Sequence, residues 1–158
     1  MQLQQEKDPY HWGIDVPALH RSMHEAGITF HRTEVVDFDP HSLRAVLPNT
    51  VYHIARHIAD GRKVYVHCTA GLGRAPAACI AYLFWFRDFS LDDAYSHLTQ
   101  IRPCGPSRDA IRGATYDILS GGQWEEFTAL APTAYSSMPQ EDKHMLQFHV
   151  LQGSRVPT

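Results

Sequence analysis

The sequence predicts an α/β fold with a central, mostly parallel sheet flanked by helices. Two short β-type runs, Ile28–Arg32 and Val64–His67, lie between segments with helical spacing of apolar residues. The second run leads within a few residues into a largely apolar helix, Arg74–Phe86. Strands that alternate with helices are typical of α/β domains. We therefore expect Val64–His67 to be the central strand.

Local signals predict where the other helices begin and end. Asp15 caps a helix that has Pro17 in its first turn, and Gly27 ends it. A second helix is predicted to restart at Pro48 and to stop at Gly61. Its apolar residues recur at helical spacing: Leu43, Val46, Leu47, Val51, Ile54 and Ile58.

The C-terminal third contains three further predicted helices. Ser90 with Asp93 forms a capping box for one helix, and Ser107 caps the next. After Gly121 the composition is typical of a loop until Pro139, and Glu141–Gln152 has the composition of a last helix. We therefore divide the chain into a catalytic domain, residues 1–120, and a C-terminal extension, residues 121–158, that packs on it.

Composition indicates one soluble domain and excludes several functions. The chain has 158 residues, 44% of them hydrophobic, which is enough to bury a core. A formal charge of -3 with scattered basic residues predicts neither a nucleic-acid nor a membrane partner. Three cysteines do not form a disulfide framework, and no apolar run has transmembrane length. We expect a monomer.

The eleven histidines include two pairs with helical spacing, His20/His24 and His53/His57. Neither pair has the carboxylate partner of a zinc-protease motif. We therefore expect no metal and no cofactor.

The segment from Val64 to Pro76 is the most informative in the chain. A β run ends at Cys68, five residues with two glycines follow, and Arg74 opens a helix. This arrangement directs loop amides and a helix N-terminus at one point, which attracts an anion and favours the thiolate form of the cysteine. The guanidinium of Arg74 can hold two phosphate oxygens at once. The pattern predicts displacement at phosphorus through a phosphocysteine.

Other enzymes share a cysteine–five–arginine loop, so the position of the general acid decides between them. Low-molecular-weight tyrosine phosphatases, arsenate reductases and rhodanese-like phosphatases are such cases. Here the candidate acid lies upstream, in Asp37-Phe38-Asp39-Pro40. A positioned carboxylic acid protonates the leaving alkoxide of a phosphate ester. The same four residues are also typical of a turn with a helix cap.

An Asp about thirty residues before His-Cys-x5-Arg is the order found in dual-specificity phosphatases, which this chain resembles. Within them it is most similar to the plant and algal glucan phosphatases, in particular the Like-Starch-Excess-Four group. Four stretches carry the likeness: Trp12–Asp15, Asp37–Pro40, Cys68–Pro76 with its Arg-Ala-Pro end, and Arg102–Asp117. The resemblance implies a phosphoglucan phosphatase, located in the chloroplast, that acts on phosphorylated starch-type glucan.

The resemblance also assigns roles to residues. Cys68 is the expected nucleophile, Arg74 the phosphate clamp, and Asp37 the general acid and base. Trp12 and Phe38 match aromatic positions that line the glucan channel, although either side chain could instead pack in the core. The amides expected to hold the phosphoryl oxygens are those of Thr69, Ala70, Gly71, Leu72 and Gly73.

The chain departs from its family in three ways. Ala75 follows the arginine where many of these enzymes have a hydroxyl that stabilises the departing thiolate, which predicts slower turnover. Ser107 stands where the wider superfamily often has Asn. The family's N-terminal strands, with their channel aromatics, are expected to be missing, because Met1 aligns inside the domain.

Three alternative interpretations remain open from the sequence. The chain could be a dual-specificity protein phosphatase for phosphotyrosine and phosphothreonine, or a weakly active glucan-binding scaffold. Phosphoinositide hydrolysis is disfavoured because the loop contains no basic residue besides Arg74. Separately, Cys104 is a candidate for an oxidised pairing with Cys68.

Overall fold

The computed structural model describes residues 1–122 and 130–153, and this part of the chain is mainly helical. Its helices are α1 Lys7–His11, α2 Val16–Glu25, α3 Pro40–Ala59, α4 Arg74–Phe86, α5 Leu91–Ile101, α6 Arg108–Ser120 and α7 Gln140–Leu151. None of these helices is both long and apolar enough to cross a membrane.

Side-chain caps confirm most of the predicted helix starts. The Asp15 carboxylate accepts a hydrogen bond from the Ala18 amide, and Ser107 accepts one from the Ala110 amide in the same way. Ser90 accepts one from the Asp93 amide and also donates to its carboxylate. The predicted bounds of α4 are confirmed, and those of α7 to within one residue at each end. Part of the predicted loop after Gly122, residues 123–129, lies outside the described residues.

The predicted restart at Pro48 is wrong. The helix α3 runs without interruption from Pro40 to Ala59, with Pro48 inside it. Proline removes one helical hydrogen bond and normally costs about 3 kcal/mol. Here the buried face on either side of it, which includes Leu47 and Val51, packs against α4 and α6. That burial outweighs the local cost.

The predicted central sheet is wrong as well, because the described residues contain only two isolated parallel bridges. Gln2 pairs with Arg32 on one side and with His67 on the other. The N-terminal segment, rather than Val64–His67, therefore occupies the middle position. The backbone pairing of the N-terminal segment ends after Leu3. The Gln4 carbonyl accepts from the Arg32 Nε (3.3 Å) instead of from a neighbouring backbone amide, and α1 begins at Lys7.

The core surrounds α4, which packs against α3, α5, α6 and α7. Ala77, Ala78 and Ala81 are fully buried and permit this close approach. The indole Nε1 of Trp85 donates to Thr115 Oγ1 (3.0 Å), which ties α4 to α6. The loop from Cys68 to Gly73 is thus attached to the N-terminus of this buried helix.

Candidate active site

The loop between Cys68 and Arg74 is shaped by its glycines and by its anchor to a neighbouring segment. Gly71 adopts a φ of +70°, a left-handed conformation that is strained for other residues. The Gly105 amide donates to the Leu72 carbonyl (2.9 Å), which fixes the middle of the loop. Arg74 is the first residue of α4, so the helix N-terminus faces the loop.

The Arg74 side chain is 4% exposed and is held by four groups. Its Nη1 donates to Asp8 Oδ2 (2.9 Å) and to the Val35 carbonyl (3.2 Å). Its Nη2 donates to Thr69 Oγ1 (2.9 Å) and lies 3.1 Å from Asp37 Oδ2. The Nε of Arg74 is buried and has no partner among the described residues.

The cap of α3 places Asp37 beside Arg74. Asp39 is the N-cap of this helix, and its carboxylate accepts from the amides of His41 (2.9 Å) and Ser42 (3.2 Å). Ser42 Oγ accepts from the Val36 amide, so the chain is fixed on both sides of Asp37. Between the two aspartates, Phe38 has a φ of +59° and is 98% exposed. Asp39 is therefore committed to the cap, whereas Asp37 faces Arg74.

Cys68 lines three cavities among the described residues. The first, of about 640 Å³, is lined by Cys68, Asp37, Phe38, Leu72 and Arg74 among others. The second, of about 400 Å³, is lined by Cys68, Thr69 and Trp12, the last of which is 67% exposed. The two predicted channel aromatics, Phe38 and Trp12, therefore line separate cavities that share Cys68, and neither belongs to the core.

Comparisons with known proteins identify the family of this chain. The family model of the dual specificity phosphatase catalytic domain matches residues 4–112. The chain belongs to this family. A crystal structure of PTPMT1 has the same fold, with a TM-score of 0.59 at 22% identity over 81% of this chain and 76% of that one.

Two relatives of this dual-specificity phosphatase domain are named phosphoglucan phosphatases. DSP4 of Castanea sativa, named amyloplastic, is 41% identical over 121 residues, or 75% of this chain and 32% of its own length. LSF1 of Arabidopsis thaliana, named chloroplastic, is 36% identical over 109 residues, or 69% of this chain and 18% of its own length. The chain thus spans a third or less of either relative.

The structure places every predicted site residue of the phosphatase domain in a cavity that Cys68 also lines. Ala70, Leu72 and Gly73 line the cavity that holds Cys68, Asp37 and Arg74. Gly71 lines the third cavity, of about 200 Å³, together with Cys68, Cys79 and Arg102. The hydroxyl of Thr69 bonds to Arg74 and accepts from Gln4 Nε2 (3.0 Å).

Sequence reasoning missed Asp8, which contacts both Arg74 and Thr69. Burial by itself raises the pKa of the Asp8 carboxyl, but the hydrogen bond and charge of Arg74, with smaller contributions from Gln5 and Thr69, lower that pKa below its usual value. Asp8 is therefore a carboxylate at neutral pH. No motif in the sequence links residue 8 with residue 74, so only the fold reveals the contact.

Proposed function

We propose that this chain hydrolyses phosphate monoesters on a starch-type glucan through a phosphocysteine, and that it does so in a plastid. The two relatives named phosphoglucan phosphatase, one amyloplastic and one chloroplastic, support the substrate and the compartment. The proposal takes the chain as a monomer, with residues 1–120 as the catalytic domain. Residues 121–158 form its extension, of which α7 packs against α3, α4 and α6.

The observation that carries the proposal is the meeting of Cys68, Arg74 and Asp37 at one cavity. In the proposed reaction the Cys68 thiolate attacks phosphorus while the bond to the glucosyl oxygen breaks. Asp37 gives its proton to that oxygen. Water then attacks the phosphocysteine and gives a proton back to Asp37, which releases inorganic phosphate and restores the thiolate.

The surroundings of Cys68 suit a sugar polymer. Phe38 and Trp12 are exposed and each lines a cavity that contains Cys68, and sugar rings pack their C–H faces on aromatic planes. In the described linings of the three cavities at Cys68, Arg74 and Arg102 are the only lysine or arginine residues. A neutral sugar chain that carries a phosphate group requires no larger basic patch than these two residues.

The test is phosphate release from solubilised phosphorylated starch, compared with release from a phosphotyrosyl peptide. We expect the starch to be the better substrate. In Cys68→Ser we expect turnover to disappear while phosphoglucan still binds, since a serine hydroxyl stays protonated and is a poor nucleophile. Preference for the peptide would favour a protein phosphatase, and turnover in Cys68→Ser within about tenfold of the parent would exclude the phosphocysteine.

A further inference from the structure

We propose that Asp8 is a positioning residue for the phosphate clamp: its carboxylate fixes the Arg74 guanidinium so that Nε remains as the donor for a phosphate oxygen. The inference rests on the proposed cysteine-phosphatase function and adds to it a residue far from the signature loop. The contact that carries it is the 2.9 Å hydrogen bond from Arg74 Nη1 to Asp8 Oδ2.

The donors of Arg74 show why an orienting partner matters. A guanidinium has five N–H groups in a fixed plane. Those on Nη1 and Nη2 are directed at Asp8, the Val35 carbonyl, Thr69 and Asp37, whereas Nε is buried without a partner among the described residues. A buried donor without an acceptor costs free energy that an arriving phosphate oxygen recovers. We therefore expect the Arg74 guanidinium to direct its Nε at the phosphate only while Asp8 holds Nη1.

Asp8 and Asp37 share this guanidinium but are held unequally. The Asp8 side chain is 17% exposed and also accepts from the Gln5 amide (3.2 Å) and the Thr69 hydroxyl (3.4 Å). The Asp37 side chain is 48% exposed, and Arg74 is its only partner shown among the described residues. Phosphate therefore displaces Asp37 rather than Asp8. Displacement also frees Asp37 to reach the leaving oxygen, where the proposed mechanism needs it.

Thr69 connects the same network to the catalytic loop. Its hydroxyl accepts from Arg74 Nη2 and from Gln4 Nε2, and it donates to Asp8. The N-terminal segment, the loop and the clamp are thus joined through one side chain. A shift of the Asp8 carboxylate would therefore move both the Thr69 hydroxyl and the Arg74 guanidinium.

The experiment uses an aryl phosphate, for which the general acid matters little, with inorganic phosphate as the binding probe. We expect Asp8→Asn to lower kcat/KM about tenfold and to weaken inhibition by phosphate, because the Arg74 plane is no longer fixed. Asp8→Glu restores the charge and is expected to recover at least about a third of the parent kcat/KM. Glu6→Gln is the matched control, since Glu6 is an exposed carboxylate two residues earlier that makes no side-chain cap.

A double-mutant cycle separates positioning from folding. In an Arg74→Lys background, Asp8→Asn is expected to change kcat/KM less than about twofold, because an ammonium has no plane to orient. Losses of kcat/KM that are additive in the double mutant would overturn the inference. Tighter inhibition by phosphate in Asp8→Asn would also overturn it, because Asp8 would then only compete with phosphate for Arg74. A lowered melting temperature with unchanged kcat/KM would also overturn it. An inactive parent enzyme would instead overturn the proposed function itself.

Discussion

Asp37 Oδ2 lies 3.1 Å from Arg74 Nη2, so the predicted proton donor and the predicted phosphate clamp contact each other. The neighbouring Asp39 takes no part in this contact because its carboxylate caps α3. Two aspartates that are separated by one residue thus have different partners and different expected roles.

Asp37→Asn is expected to reduce turnover of a glucosyl phosphate by at least about a hundredfold and of an aryl phosphate by less than about tenfold. A sugar alkoxide needs protonation as it leaves, whereas an aryl oxide does not. Steady-state kinetics on both substrates would measure the difference. Asp39→Asn serves as the control: it weakens a helix cap and should affect the two substrates alike. Equal losses in Asp37→Asn would remove this residue from the acid role.

The Cys79 thiol is expected to resist alkylation. Burial, with smaller contributions from the nearby Cys104 and Cys68, raises the pKa of Cys79 to about 11. At pH 8 only about one thiol in a thousand would be ionised, and the thiolate is the reactive form. Mass spectrometry after a timed iodoacetamide treatment should therefore find Cys79 the least labelled of the three cysteines. The urea-unfolded chain, in which the pKa difference is lost, is the control, and rapid labelling of native Cys79 would contradict the expectation.

Stability is expected to fall as the pH drops below about 6.5. Burial lowers the pKa of both His31 and His53, and neighbouring histidines lower it further. The folded protein then binds fewer protons than the unfolded chain, so the stabilisation present above the ordinary histidine pKa is lost as the pH falls through the lowered values. The 2.7 Å contact between His31 Nε2 and His57 Nε2 also requires one neutral ring.

Thermal melts at pH 5.5 and 7.5 would measure this dependence. In His31→Gln the decrease in melting temperature should be smaller than in the parent. His24→Gln, an exposed histidine on α2, is the matched control and should keep the parental decrease. A parental decrease in His31→Gln would show that the cluster does not cause the effect.

Asp117→Ala is expected to destabilise the fold by about 3–5 kcal/mol. Asp117 and Arg44 are both almost fully buried, and they form a two-point ion pair that joins α6 to α3. Removing one partner leaves the other charge buried, whereas Arg44→Met combined with Asp117→Leu should cost less. Asp92→Ala breaks an exposed pair with Arg108 and should cost below about 1 kcal/mol, which urea unfolding can resolve.

The features that the sequence predicted correctly are those formed by residues close together in the chain. The caps at Asp15, Ser90 and Ser107 bond three residues ahead, so their signal lies within one turn of chain. The Cys68 to Arg74 loop is equally local. The predicted helix restart at Pro48 was wrong because the packing that stabilises α3 around this proline comes from α4 and α6, which lie far along the chain.

Pairings between distant segments could not be predicted in the same way. Gln2 pairs with Arg32 and with His67 through single bridges. The alternation of residues within a short run does not predict how many residues will pair with a neighbouring segment. The contacts from Asp8 to Arg74 and from Arg44 to Asp117 each span more than sixty residues. Their residue types are ordinary on a protein surface, so only the assembled helices reveal them.

Gly71 limits how the catalytic loop can be redesigned. A side chain there would require a left-handed backbone, and its first carbon would lie 2.9 Å from the Arg102 guanidinium. Thr69 is already committed to Arg74. Leu72, by contrast, projects an exposed side chain into the cavity of Cys68, while its backbone stays anchored by Gly105. Substitutions at Leu72 can therefore retune which substrates enter, with the catalytic backbone left as it is.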